Sequence, residues 1–151
     1  MITRPEEFRA SNIRQRFWLA RKSVNPDETC LVAVHGDEIV GMLECWTDRR
    51  RRVRHSTTIA MSVHAGFRKR GIGKKLLLHF TDWVQKHPRL ERIELHVHAD
   101  NDAALALYRA VGFTLEGTRR SVVRYENGTL VDDHIMAFWP NDDKMAPGKR
   151  A

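Results

Sequence analysis

A short basic turn between residues 68 and 74 combines residue types that could bind an anion. Its two glycines, Gly71 and Gly73, alternate with larger residues and allow the backbone to approach a ligand closely. The first N–H groups of the helix that follows point at the same place. Four cationic side chains add positive charge: Arg68, Lys69, Arg70 and Lys74. We therefore predict that this turn holds a pyrophosphate.

Two common phosphate-binding loops do not fit this turn. A dinucleotide-binding fingerprint needs a third glycine where Leu76 stands. A P-loop starting at Gly66 would need lysine and a hydroxyl residue where Ile72 and Gly73 stand. An ordinary strand-to-helix turn with solvated charges remains the alternative to a binding site.

The segments after the turn have clear periodicity. Apolar residues at helical spacing predict a helix over residues 73–87, which Pro88 ends. Residues 92–99 alternate as in a strand, so Glu94, His96 and His98 share the face opposite the apolar residues. Asn101 is a suitable N-cap for a second helix that ends at Gly112. The apolar face of that helix contains Ala104, Leu107, Tyr108 and Val111.

Two hairpins are predicted at the ends of this region. Strand-like runs at residues 29–34 and 38–47 flank Gly36, and runs at 118–126 and 129–139 flank a two-residue Asn127-Gly128 turn. Residues 4–24 show helical spacing. We expect one domain over residues 1–139 and a loose tail over 140–151.

Composition narrows the class of protein. No apolar run approaches the roughly 20 residues of a membrane span, and the N-terminus lacks a signal-peptide core, so a soluble, cytoplasmic protein is expected. Cys30 and Cys45 are then predicted to be reduced thiols.

The net charge of +7 fits either a nucleic acid or a highly anionic small ligand as the binding partner. The arginine-rich run at residues 49–54 has no aromatic residues for stacking bases, which disfavours RNA.

Two motifs in this order resemble the signature of the GCN5-related N-acetyltransferase (GNAT) family. They are Arg-x-x-Gly-x-Gly at residues 68–73 and Asn-x-x-Ala-x-x-Leu-Tyr-x-x-x-Gly-Phe at residues 101–113. The resemblance covers residues 29–139. It implies an α/β fold: a mixed, mostly antiparallel sheet with flanking helices, whose two splayed central strands admit acetyl-CoA. Family members usually begin with a strand, for which this chain has little room.

The resemblance implies an acetyl-CoA-dependent N-acetyltransferase in which a primary amine attacks the thioester directly. Backbone groups of residues 61–63 would pair with the pantetheine arm, and Tyr108 would be the general acid that protonates sulfur. A buried core aromatic is the alternative for Tyr108. The residues implied to bind acetyl-CoA are Met61, Ser62, Val63, Arg68, Lys69, Arg70, Gly71, Ile72, Gly73, Lys74, Asn101, Ala104 and Tyr108. No metal is expected.

The general base is less clearly indicated. Many relatives carry a carboxylate near Thr58, and threonine cannot accept a proton from an ammonium group. Others place a glutamate five residues before the asparagine, where this chain has His96, a residue that titrates near neutrality. His96 is therefore the predicted base. The alternatives are His98, His64, Glu44 and a chain of water molecules.

The last hairpin bears on the acceptor. Residues 116–118, 125–132 and 136–137 resemble the branch that acetylates amino acids, small amines or protein N-termini. Asp132 or Asp133 could receive an ammonium group, or both could be solvated. Acetylation of a protein N-terminus or lysine, and an idle acyl-CoA sensor, remain alternative functions. A homodimer is also considered.

Overall fold

The computed structural model describes residues 24–141. The helix predicted within residues 4–24, the question of an N-terminal strand and nearly all of the predicted tail lie outside this range. The single-domain assignment over residues 1–139 therefore stays a prediction.

Six strands and two α-helices make up the described chain. In chain order they are β1 (Cys30–His35), β2 (Glu38–Thr47), β3 (Ser56–Val63), a 3₁₀ turn (Ala65–Phe67), α1 (Ile72–Lys86), β4 (Arg92–His98), α2 (Asp102–Val111), β5 (Thr114–Arg124) and β6 (Leu130–Phe138).

The strands form one sheet in the order β1-β2-β3-β4-β6-β5. The β3–β4 pair is parallel, and the other four neighbouring pairs are antiparallel. Parallel strands need a crossover connection, which α1 provides between β3 and β4. The predicted mixed, mostly antiparallel sheet is confirmed.

The two helices pack on one face of the sheet. The apolar stripe of α1 is buried as predicted, except that Trp83 is only partly buried. It shares one hydrophobic core with Ile93, Leu95 and Val97 of β4 and with Tyr108 of α2. We call the opposite face, which carries Thr58, Glu94 and His96, the distal face. No helix of residues 24–141 has the length and apolarity needed to cross a bilayer.

The two hairpins differ in their outcome. The first predicted hairpin is confirmed, with His35 paired to Glu38, so that its turn has two residues, Gly36 and Asp37, instead of the predicted three. The second turn has three residues, 126–128, instead of the predicted two. Tyr125 N–H donates to Thr129 O (2.9 Å), so these two residues close the loop. Gly128, with φ of +85°, then takes the left-handed position of a bulged three-residue turn.

The last pair of strands also begins earlier than predicted. Strand β5 starts at Thr114, four residues before the predicted start at residue 118. Its register against β6 shifts twice, between Leu115 and Gly117 and between Arg119 and Val123. The first shift places one extra residue in β5 and so reverses the alternation of inward and outward side chains, and the second places two extra residues there. The sequence of β5 therefore lacks a single two-residue period along its length.

Candidate active site

The parallel strands β3 and β4 separate halfway along their length. Their paired section runs from Ser56 opposite Arg92 to Ile59 opposite Leu95. Beyond it β3 stays paired with β2 up to Val63, while β4 stays paired with β6 up to His98. Each strand therefore follows its outer antiparallel partner, and a gap opens between them, as the family resemblance implied.

Alternation of the backbone decides which groups of β3 face this gap. His64 N–H donates to Val40 O on β2 (2.8 Å), so even-numbered residues, including Ser62, direct their N–H and C=O groups at β2. Met61 and Val63 direct theirs into the gap. Arg68 Nε donates to Val63 O (3.3 Å), which leaves Met61 as the residue with both backbone groups directed into the gap.

The basic turn lies where β3 gives way to α1. Gly71 is the N-cap of α1, with φ of +78° and no side-chain cap, and Lys69 is also left-handed. The first N–H groups of a helix lack intrahelical acceptors and attract an anion. The four predicted cationic side chains are exposed, and the Arg70 guanidinium lies 5.0 Å from the centre of the Phe67 ring. The turn therefore has the shape and charge to hold a pyrophosphate.

Close packing brings the start of α1 to the mouth of the gap. The Ile72 side chain lies against Gly41, where an added Cβ would come within 2.9 Å of its Cγ2. A Cβ on Gly73 would come within 3.1 Å of Leu107 and 3.3 Å of Met61. The Ile72 side chain thus packs the helix against the sheet and is not available to a ligand. Only the backbone N–H of Ile72 can contact a phosphate.

Helix α2 carries the remaining predicted ligands. Asn101 Oδ1 accepts the Ala104 N–H (3.2 Å) and caps the helix, which leaves the Asn101 amide nitrogen as its free donor group. Tyr108 is 8% exposed and packs against Phe113 with ring centres 5.8 Å apart. Burial raises the pKa of the Tyr108 hydroxyl, so this phenol is protonated at neutral pH. A proton donor at this position is chemically reasonable.

His96 lies between two carboxylates on the distal face. Its Nδ1 is 3.2 Å from Asp133 Oδ2, and its Nε2 is 3.3 Å from Glu94 Oε1. A neutral imidazole can donate through only one nitrogen, so in that form His96 donates to only one of the two carboxylates. Arg119 pairs with Asp133, and Arg92 pairs with Glu94 and with Glu116. We call Arg119, Asp133, His96, Glu94 and Arg92 the carboxylate–histidine network.

The network keeps both carboxylates ionised. Burial opposes ionisation of Glu94, but hydrogen bonds and charge from Arg92, and then from His96, lower its pKa below the usual value. Burial likewise opposes ionisation of Asp133, and Arg119 followed by His96 lowers its pKa. A negative carboxylate therefore stands on each side of the His96 ring.

The other predicted bases have different partners. His98 Nδ1 lies 3.2 Å from the Tyr125 hydroxyl, which donates to Asp100. His64 Nδ1 accepts the Gly66 N–H (3.2 Å) and caps the 3₁₀ turn. Glu44 is paired across the sheet with Ala60 in the register of β2 and β3. Within residues 24–141 no group of three His, Cys, Asp or Glu side chains is arranged to hold a metal ion.

The predicted ammonium receptors of the last hairpin are occupied by contacts within the fold. Asp132 Oδ1 accepts the Ser121 N–H (2.8 Å) and holds a bulge in which Ser121 has φ of +52°. The Asp133 side chain is 2% exposed and lies in the carboxylate–histidine network. Glu94, which was not among the predicted site residues, is the more exposed carboxylate beside His96. The two-residue period of β4 was the signal that could have identified it.

Comparison with known proteins agrees with this geometry. The model of the acetyltransferase (GNAT) family matches residues 2–113. L-amino acid N-acetyltransferase AaaT of Escherichia coli (strain K12) is 31% identical over 120 residues, which cover 80% of this chain and 74% of that protein. N-alpha-acetyltransferase 50 of Danio rerio is 27% identical over 109 residues, which cover 72% of this chain and 64% of that protein.

A solved structure shares the fold at lower identity. The yncA protein of Salmonella typhimurium, determined with its cofactor acetyl-CoA, matches with a TM-score of 0.81 and 19% identity. The match covers 95% of this chain and 81% of that one. The same arrangement of strands and helices is therefore reached with few identical residues.

Asp133 should contribute a pH-dependent part of the free energy of unfolding. Its folded pKa lies below the ordinary value of 3.8, so its ionised form stabilises the fold above that pH, and this contribution is lost as the pH falls through the folded pKa. Asp133→Asn should cost about 2 kcal/mol at pH 7, with a smaller difference from wild type at a pH below the folded pKa of Asp133.

Urea unfolding at both pH values measures this effect. Asp82→Asn is the control, because Asp82 forms an exposed ion pair with Lys86 and should cost less than about 0.5 kcal/mol. Equal costs for the two variants at pH 7 would contradict a stabilising role of the network.

Proposed function

Because the chain belongs to the acetyltransferase (GNAT) family, we propose that it transfers the acetyl group of acetyl-CoA to the primary amine of an amino acid or similar small metabolite. The observation that carries the proposal is the gap between β3 and β4 beside the basic turn. The relative AaaT is named for acetyl transfer to L-amino acids, which supports a small acceptor.

The residues along the gap fit acetyl-CoA as the acyl donor. Met61 offers its backbone C=O to the amide-containing pantetheine arm, in the manner of an added strand, and its N–H to the thioester carbonyl. The turn with Gly71 and the start of α1 bind the pyrophosphate, and the Asn101 amide nitrogen is a donor for the arm. Bound acetyl-CoA supplies an acetyl group activated as a thioester.

In the proposed mechanism, His96 and Tyr108 carry out the proton transfers. His96 takes a proton from the acceptor ammonium, and the Met61 N–H polarises the thioester carbonyl. The amine nitrogen then bonds to the carbonyl carbon as the carbon–sulfur bond breaks. Tyr108 gives its proton to the departing sulfur, and the second proton lost by the nitrogen restores the tyrosine. The products are the acetylated amine, CoA thiol and one proton released through His96.

A second acceptor class has support of its own. N-alpha-acetyltransferase 50 of Danio rerio is named for a protein N-terminus, so peptides are the alternative acceptors, with lysine side chains included. Release of CoA thiol with a panel of free amino acids, simple amines and peptides separates the two classes. Transfer to peptides alone would overturn the small-acceptor proposal, and no release with any amine would favour an acyl-CoA sensor.

Gly71→Ala should weaken acetyl-CoA binding about tenfold, because the left-handed backbone that aims the first helical N–H groups becomes strained. Gly128→Ala is a matched control: Gly128 is also left-handed with open space around its Cα, but it lies in the β5–β6 turn. Calorimetric titration with acetyl-CoA measures both. If both variants bind acetyl-CoA with equal affinity, the basic turn does not contribute to acetyl-CoA binding.

Tyr108→Phe should lower kcat about 100-fold and leave the Kd for acetyl-CoA within a factor of about two, since the ring still packs on Phe113. Steady-state release of CoA thiol gives kcat, and calorimetry gives the Kd. Turnover at the wild-type rate by a folded Tyr108→Phe protein would remove Tyr108 from the acid role.

His96→Gln should lower kcat at least about 100-fold at neutral pH, because glutamine keeps a polar side chain between the carboxylates and cannot accept the proton. His79→Gln is the control, since His79 is exposed on α1 away from the network. If the two variants turn over at similar rates, the base is another group or water.

A further inference from the structure

A cleft of about 600 Å³ opens on the distal face at the paired section of β3 and β4. Thr58 and Glu94 are paired across β3 and β4 and line the end of the cleft nearest the gap. Only one further residue pair follows before the two strands separate. Its size is in the range of small-molecule sites. A molecule in this cleft would therefore lie directly beside the point where the strands part.

The end of the cleft nearest the gap is anionic. The ionised Glu94 side chain is 26% exposed, and its Oε2 accepts from Arg92 Nη1 (2.8 Å) while its Oε1 faces His96 Nε2. Each carboxylate oxygen has a second lone pair, so Glu94 can still accept a hydrogen from an ammonium group. An ammonium group bound there lies next to His96, the proposed proton acceptor.

The rest of the cleft combines three large apolar side chains with Asp48, Arg50, His55 and Ser56. Trp46 lies beside Thr58 on β2 and is 44% exposed, and Val53 in the following loop is 40% exposed. Trp139, which follows β6, completes the wall and stacks with the His55 ring at 6.3 Å. Large apolar side chains that are exposed in a concave site indicate a ligand with an apolar body.

Both arginines that line the cleft are already paired with carboxylates. Arg50 binds Asp48 (2.6 Å), and Arg92 binds Glu94 and Glu116. An anionic group on the ligand would therefore have to compete with an existing ion pair, whereas an ammonium group and an apolar group each meet a matching surface.

We propose that this cleft is the acceptor site and that it takes a primary amine attached to an aromatic or large apolar group. The proposal rests on the proposed acetyl transfer and narrows its substrate class. Glu94 receives the ammonium group, and Trp46, Val53 and Trp139 enclose the apolar body.

Direct binding tests the proposal without relying on turnover. Phenethylamine and ethylamine are titrated into the CoA-loaded protein by calorimetry, because both carry the ammonium group and only the first carries a ring. We expect saturable phenethylamine binding at least about tenfold tighter than ethylamine binding. Phenethylamine binding no tighter than that of ethylamine would overturn the proposal.

Three variants and one control variant locate the site. Trp46→Ala should weaken phenethylamine binding about tenfold, and Trp46→Phe should restore most of it; Trp46 is half-exposed, so neither change leaves a buried cavity. Glu94→Gln should weaken binding more than about tenfold. Glu91→Gln, the same change at an exposed position just before β4, should have no effect. Unchanged binding in Trp46→Ala would place the ring elsewhere.

The two proposals fail in different ways. Acetyl transfer to other amines without tight phenethylamine binding would overturn the aromatic acceptor site and leave the acetyltransferase function standing. Saturable phenethylamine binding that depends on Trp46 and Glu94, without CoA thiol release from any amine, would keep the site and overturn the proposed transfer.

Discussion

The rest of this structure depends on one constraint: β3 and β4 pair in parallel over only four residue pairs. Each strand has an antiparallel neighbour on its outer side that continues for its full length, so both strands remain ordered after they part. Without those neighbours, the free edges along the gap would be unsupported strand ends. The two strands that border the gap are thus each paired on the outer side, and Met61 can direct its backbone groups into the gap while β2 holds the alternate residues.

Two close approaches then place the start of α1 at this gap. Gly41 and Gly73 lack the side chains that would hold the helix away from β2, Met61 and Leu107. Gly71 supplies the left-handed residue before the helix. The N–H groups in the first turn of α1, which have no intrahelical acceptors, therefore lie at the mouth of the gap. The same short segment thus provides both the packing of the helix and the proposed anion-binding site.

Electrostatics organise the distal face. Asp133 is almost fully buried, and its charge is compensated by Arg119 and by the His96 ring. Glu94 is compensated by Arg92 and by the other ring nitrogen. Unpaired carboxylates in these positions would be costly, whereas the mutual pairing holds the imidazole in one orientation beside the paired end of the gap. Position 58 is a threonine, but Glu94, its partner on the neighbouring strand, places a carboxylate on the same face.

Local patterns in the sequence determined much of the fold. Periodicity predicted α1, β4 and α2, and the end residues Asn101 and Gly112 were identified because capping depends on adjacent backbone groups. The face shared by Glu94, His96 and His98 followed from the alternation of a strand. The tertiary structure alone decided the partners of these residues. Asp133 lies 37 residues from His96 and meets it through the register of β4 against β6, a long-range pairing that no local pattern encodes.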